Sequence, residues 1–282
     1  MQTISDVTGM QALALRMRHE GRRIALAPTM GYLHEGHASL MRRARTAGDV
    51  LVVSLFVNPT QFGPGEDFER YPRDLERDST LCRAEGVDIL FCPSARDMYA
   101  PNHSVYVEET RLSAGLCGAA RPGHFRGVAT VVAKLLNIVQ PHVAVFGQKD
   151  FQQARVIAQM VRDLNFPVEI VIAPTVREAD GLAMSSRNAY LSAEERAEAP
   201  RISAALRLAE AKFAQGERDT AVLRATARAV IEASPILRIE YLEVVDPADL
   251  RPLHRLEDRA LVAVAVRAGT TRLIDNALLQ SR

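Results

Sequence analysis

"RIALAPTMGYLHEGHASLMRRA", residues 23–44, passes from an apolar run through a glycine-bearing loop into a segment with Leu40, Met41 and Ala44 at helical spacing. Arg23 to Pro28 reads as a buried strand, and the segment after His37 reads as a helix. A strand that feeds a helix through a short loop is the building unit of a parallel, doubly wound sheet. The same unit recurs along the chain. "DVLVVSLFV" (Asp49 to Val57) is continuously apolar and β-branched, the pattern of a strand covered on both faces. "DLERDSTLCRAEG" reads as a helix that stops at Gly86, and "VDILFCP" as a third strand. "GVATVVAKLLNIVQ" is too long for a typical strand and reads as a helix despite its valines. "HVAVFG", "KDFQQARVIAQMVRDL" and "VEIVIAP" then give strand, helix and strand.

The pattern changes after about Pro174. "LSAEERAEAPRISAALRLAEAKFAQG" opens with Ser192 and Glu195 in capping-box spacing and reads as a helix broken near Pro200. "RDTAVLRATARAVIEA" is a further helix. "RIEYLEVVD" and "RALVAVAVRAG" read as strands, and "TRLIDNAL" as a short third one. The expectation is an α/β chain: a Rossmann-like doubly wound parallel sheet over residues 1–175, and a smaller C-terminal α+β domain over 176–282. No internal repeat or low-complexity tract interrupts it.

A length of 282 residues gives room for a substantial core, and 48% hydrophobic with 24% charged residues marks an ordinary globular protein. The net charge of +1 gives no global reason to expect nucleic acid or an anionic membrane as a partner. Cys82, Cys92 and Cys117 are widely spaced, with no CxxC pair, so neither a zinc knuckle nor a disulfide framework is indicated. The thiols suit a reducing compartment. No signal peptide or bilayer-length apolar run is read, so the cytoplasm is the expected location. The basic residues are nearly all arginine. Only Lys134, Lys149 and Lys212 are lysine, which singles them out as places where a compact, mobile point charge matters or as plain solubilising groups.

His34 and His37 lie three apart around Glu35 and Gly36. A zinc-protease helix needs H-E-x-x-H, with four-residue spacing on one face, and position 38 is alanine, so a metal site is disfavoured. A phosphate site fits better. In doubly wound sheets ligands lie beyond the carboxyl ends of the strands. Gly31 and Gly36 permit close backbone approach, the helix start offers N–H groups, and imidazoles donate hydrogen bonds. "FGQKD" (Phe146 to Asp150) repeats the geometry after a later strand and carries Lys149. "AMSSRNAYL" (Ala183 to Leu191) adds Ser185, Ser186 and Arg187 at the domain junction; the two serines alone would suit a turn or cap. "FVNPTQF" offers Asn58 and Gln61, and Tyr71 follows. Asn58–Pro59 also reads as turn chemistry, whereas Gln61 beside Phe62 resembles a lining for a small polar substrate. Of Gln152 and Gln153, one suits a solvated helix face. Arg121 and Arg126 in "RPGHFRG" either steer a substrate or phosphate or are surface charges. Asp78 either stands near a phosphate-bound cation or, the more ordinary reading, is an exposed helical acid.

"PTMGYLHEGHASL", "LFVNPTQF", "FGQKDFQQ" and "MSSRN", in this order, resemble the pantoate–β-alanine ligase family. "HEGH" resembles the H-x-G-H signature shared by nucleotidyltransferases and class I aminoacyl-tRNA synthetases, and "MSSR" resembles the K-M-S-K-S loop of that superfamily. The resemblance covers essentially the whole chain and implies a homodimer. It also implies an AMP-forming ligase of pantothenate synthesis, which joins pantoate to β-alanine through pantoyl adenylate, with ATP as co-substrate and Mg²⁺ as cofactor. It implies that Met30, Gly31, Tyr32, Leu33, His34, Glu35, Gly36 and His37 contact ATP, together with Gly147, Gln148, Lys149, Asp150, Val176, Met184, Ser185, Ser186 and Arg187. Gln61 and Gln153 would hold pantoate, and His37 would be the proton donor. His34, Lys149, Ser185, Ser186 and Arg187 would complete the catalytic set, with no protein ligand to a metal. The C-terminal domain would act as a lid. Two rivals remain: a cytidylyltransferase keeping the histidine signature, which the pantoate-side residues oppose, and a nucleotide-binding regulatory module, which does not account for Gln61, Gln153 and Lys149 together.

Overall fold

A computed structural model describes residues 1–281. In chain order the first elements are β1 (Gln2–Ile4), α1 (Val7–His19), β2 (Ile24–Thr29), α2 (Glu35–Arg45), β3 (Val50–Leu55), α3 (Leu75–Ala84), β4 (Ile89–Phe91), α4 (Ala95–Met98), α5 (Leu116–Ala120), α6 (His124–Val139), β5 (Val143–Gly147), α7 (Phe151–Asp163) and β6 (Glu169–Ala173). There follow α8 (Ala193–Glu198), α9 (Arg201–Ala214), α10 (Thr220–Glu232), β7 (Leu237–Val245), β8 (Arg259–Ala268) and β9 (Thr271–Gln280). The chain divides into two compact units. The first is Met1–Thr110, Arg121–Gln148 and Gln153–Pro174; the second is Arg111–Ala120, Lys149–Gln152 and the chain from Thr175 onward.

The first unit is built on a six-stranded sheet in the order β1-β4-β3-β2-β5-β6, and every pairing is parallel. The doubly wound architecture is therefore present. β3 is buried along almost its whole length, as its uninterrupted Val/Leu run demands of a central strand. β2 has β3 on one side and β5 on the other, so the strand order reverses at the β2/β5 pair. The core behind α2 joins Leu33, Met41 and Ala44 to Leu51, Val53, Leu90 and Val145. The valine-rich α6 is a helix because tertiary burial overrides the weak propensity of its β-branched residues.

The second unit carries an antiparallel sheet, β7-β8-β9, and α9 and α10 share a core with it. The Ser192–Glu195 capping box is present at the start of α8, and the helix breaks at Pro200 before α9. β9 is longer than expected: it runs for 10 residues, with Asp275 and Asn276 buried in its middle. The extra length over "TRLIDNAL" is its last two residues, Leu279 and Gln280.

Candidate active site

On the first unit the loop after β2 is a tight turn. Gly31 and Tyr32 both have left-handed backbones, with φ of 87° and 50°, a region that costs a non-glycine residue energy unless neighbours hold it. Here the holder is Asp78 of α3. Its two carboxylate oxygens accept from Tyr32 N and Leu33 N, each at 2.7 Å. Asp78 is therefore not an exposed helical acid: it is 2% exposed. Burial pushes its pKa up, and the two backbone N–H groups partly counter this. The sequence offers no local sign of this role, because the partners lie more than forty residues away.

One residue after the turn, His34 caps α2. Its Nδ1 accepts from Gly36 N at 3.1 Å, and His37 Nδ1 accepts from His34 N at 3.2 Å, which closes a capping box of two imidazoles. A backbone amide can only donate. Both Nδ1 atoms are therefore unprotonated, and each neutral ring carries its proton on Nε2. The rings lie 4.1 Å apart, centroid to centroid. The turn and the cap thus set two imidazole N–H donors side by side at a helix N-terminus, a place that favours anions.

Of the other loop residues, Leu33 turns its side chain into the core. Glu35 is exposed and paired with Arg42, which also binds Glu85. An open groove beside this loop is lined by His34, Glu35, Asp74, Arg77 and Thr80, and the Arg77 guanidinium lies over the Tyr32 ring at 4.5 Å.

The "NPTQF" stretch forms a 3₁₀ turn, Pro59–Gln61, capped by Asn58. Asn58 Oδ1 accepts from Thr60 N and from Tyr99 OH, and Asn58 Nδ2 donates to Gly127 O and to Gln61 Oε1 at 3.0 Å. The fixed partners settle which end of each amide is which. Gln61 must present oxygen to Asn58, so its NH₂ group points the other way, to Met30 Sδ at 3.0 Å. Asn58 is structural; Gln61 is a donor held in place. The Gln61 backbone carbonyl accepts from Arg121 Nη2 and His124 Nδ1, and Arg121 also forks onto Glu66. Burial raises the Glu66 pKa, but Arg121 outweighs it and keeps the carboxylate below its usual range. Arg121 is thus a scaffold residue rather than a surface charge, whereas Arg126 is exposed and stacks on Tyr106.

Gln148–Asp150 is a 3₁₀ turn following β5, with Lys149 and Asp150 in the second unit. Lys149 Nζ lies 3.7 Å from Asp150 Oδ2. Lys149 lines a small cavity together with Ser185, Asn188 and Asp275, so two of the side chains expected to contact phosphate border the same space. Ser185 caps the 3₁₀ turn Ser186–Tyr190 by accepting from Arg187 N, which leaves its hydroxyl proton to donate elsewhere. Ser186 is buried. Met184 N bonds to Val176 O across a small hairpin. Gln152 is the structural one of the two glutamines: it is buried and bonds Leu112 O, Gly115 O and Cys117 N. Gln153 is half-buried on α7.

A family model described as pantoate–β-alanine ligase matches residues 2–278. The pantothenate synthetase of Thermotoga petrophila is 53% identical over 99% of this chain and 100% of its own length. That of Moorella thermoacetica is 55% identical over 99% and 98%. Among solved structures, pantothenate synthetase from Thermus thermophilus superposes with a TM-score of 0.94 at 48% identity, covering 98% of this chain and 99% of its own. The pantoate–β-alanine ligase of Francisella tularensis, complexed with β-γ ATP and β-alanine, gives 0.82 at 32% identity, with coverage of 99% and 97%.

Proposed function

The chain belongs to the pantoate–β-alanine ligase family, and from that premise we propose how its residues carry out the ATP-dependent condensation of pantoate with β-alanine. The reaction runs in two steps. The pantoate carboxylate attacks the α-phosphorus of ATP, the bond to the β-phosphate oxygen breaks, and pyrophosphate leaves with that electron pair, giving pantoyl adenylate. The β-alanine amine then attacks the activated carbonyl, loses a proton, and AMP leaves with the acyl–oxygen pair.

Charge grows on the equatorial oxygens and on pyrophosphate in the first step, so donors aimed there accelerate it, by about 3 kcal/mol each where the site is preorganised. His34 and His37 serve as neutral Nε2–H donors. Their capping box supports this, since an imidazolium would set an Nδ1 proton against a backbone N–H. His37 accordingly acts by hydrogen bonding as long as the cap is intact. Lys149, Ser185, Ser186 and Arg187 add an ammonium, hydroxyls and a guanidinium. Met30 to His37, Gly147 to Asp150, Val176 and Met184 complete the ATP-binding set, and Asp150 suits the ribose hydroxyls.

Gln61 and Gln153 hold pantoate. The Gln61 amide, fixed with its oxygen on Asn58 and its NH₂ toward Met30, orients the substrate through neutral donation, whereas an arginine fork would draw charge from the attacking carboxylate. In the second step the amine, near the lysine reference value of about 10.4, must shed a proton before it attacks.

Mg²⁺ accompanies the nucleotide. It would neutralise phosphate charge and would draw on the nucleotide more than on protein carboxylates; Asp78, the buried acid behind the His34 loop, already serves two backbone amides. The family likeness also supports a homodimer and a cytoplasmic location. No helix of the described residues is long and apolar enough to cross a membrane.

The observation that carries the mechanism is the pair of Nε2–H imidazoles fixed at the start of α2. Pantoate-dependent exchange of labelled pyrophosphate into ATP, with β-alanine absent, tests it. Exchange is expected; its absence from folded protein rules out the adenylate.

A further inference from the structure

We propose that Asp275 and Asn276, consecutive residues of β9, are positioning residues that hold the Lys149 turn and the Met184–Arg187 loop in register on one strand. The inference rests on the reading above that Lys149 and Ser185 to Arg187 act on the triphosphate.

Both residues are buried, each 4% exposed, in a strand whose other buried positions are mostly apolar. A buried amide and a buried carboxylate destabilise a core unless every polar atom is matched, so their partners disclose what they do. Asn276 Nδ2 donates to the carbonyl of Lys149 at 3.0 Å, across 127 residues of sequence. Asp275 takes the Arg177 fork, with Nη1 at 2.6 Å and Nη2 at 3.1 Å. Burial draws the Arg177 pKa down, and the Asp275 carboxylate more than restores it.

Arg177 passes the connection on. Its Nη1 also donates to Gly181 O, and Arg177 bridges Ala183 across the hairpin. Asn188 then ties Glu178 and Ala183 O from the far side of the loop. Lys149, Ser185, Asn188 and Asp275 line a single cavity. Two adjacent strand residues therefore reach both segments that carry the phosphate-facing cation and hydroxyls. Neither needs to touch ATP. Their effect is to keep Lys149 and Ser185 at a constant separation, and small misplacements of such groups lower rates steeply.

The test separates the half-reactions. Pyrophosphate exchange reports adenylation, which needs the triphosphate. Release of AMP from supplied pantoyl adenylate on addition of β-alanine reports the second step, in which no triphosphate takes part. Asn276→Ala is expected to slow exchange about 10- to 100-fold while AMP release stays within about twofold. Lys149→Ala is the benchmark. If Lys149→Ala abolishes exchange and Asn276→Ala leaves it unchanged, the positioning role is wrong and the assignment of Lys149 stands. If Lys149→Ala itself exchanges normally, the underlying reading fails. Equal loss in both half-reactions of Asn276→Ala means a merely structural residue and overturns the proposal. Should Asn276→Ala not fold, Arg177→Gln cuts the strand's other connection, from Asp275 to the hairpin that carries the Met184–Arg187 loop, with the same split expected and the same outcomes against it.

Discussion

Single side chains in this molecule owe their chemical sense to one unambiguous neighbour. His34 and His37 are Nε2–H donors because backbone amides occupy their Nδ1 atoms, and Gln61 is a donor because Asn58 occupies its oxygen. This makes the cap and the chemistry of His34 separable. Asparagine is a strong N-cap whose Oδ1 can stand where Nδ1 stands, but it has nothing at Nε2. His34→Asn should keep stability within about 0.5 kcal/mol in urea unfolding, while pyrophosphate exchange falls about 100-fold. A variant that remained active would remove His34 from the reaction. Asp78 gives the converse case. Asp78→Asn retains one acceptor but sets an NH₂ against the second backbone N–H, Tyr32 or Leu33. A loss of about 1–3 kcal/mol in stability is expected, with a fall in kcat/KM for ATP as the turn before His34 loosens. Unchanged thermal unfolding and kinetics would show that the turn holds itself.

Elements matter here mainly for how near they bring one another. Gly127 in α6 lies against the Pro59–Gln61 turn: a Cβ there would strike the Thr60 carbonyl and come within 2.7 Å of Gln61 N. Gly127→Ala should push the turn away and raise KM for pantoate more than KM for ATP. It should also lower stability by about 1–3 kcal/mol, the usual result of overpacking. Equal changes in both KM values, measured in steady-state kinetics, would mean that the turn does not serve pantoate.

The sequence was informative where one element explains itself. β3 declares itself by continuous burial, α8 by its capping box, and α2 by the glycine-rich loop before it. α1 was missed because it buries only Met10, Ala14 and Met17 and leaves Leu15 exposed, so its stripe is faint. β1 is three residues long, too short for an alternation to register. At the site, residue types alone suggested phosphate binding, and the family resemblance supplied the individual roles. Asp78, Gly127, Arg121 and the Asp275–Asn276 pair act on residues remote in the chain, and no local spacing encodes such meetings.

At the scale of the whole molecule, each unit has its own buried cluster, so unfolding is not bound to be a single transition. One buried thiol can report on the first unit alone. Cys82 is fully buried on α3, and burial pushes its pKa from 9.0 up to about 12. Cys92, only partly buried, rises to about 11. The sign follows from which state holds the proton. Below pH 9 both folded and unfolded thiols are protonated, and stability is unaffected. Above it the unfolded chain sheds protons that the folded chain keeps, so stability falls until the folded pKa is passed. At pH 10.5 the loss from Cys82 alone is about 2 kcal/mol relative to pH 8. Cys82→Ala is less stable at pH 8, because it leaves a cavity, but it should lose about 2 kcal/mol less than the parent between the two pH values. Groups that do not interact with Cys82 cancel in the difference. Urea unfolding at pH 8 and 10.5 measures it; if two transitions resolve, the effect belongs to the one that exposes α3. Parallel losses in parent and variant would mean that the Cys82 thiol ionises in the folded protein as readily as in water, and that the core between α3 and the sheet admits solvent.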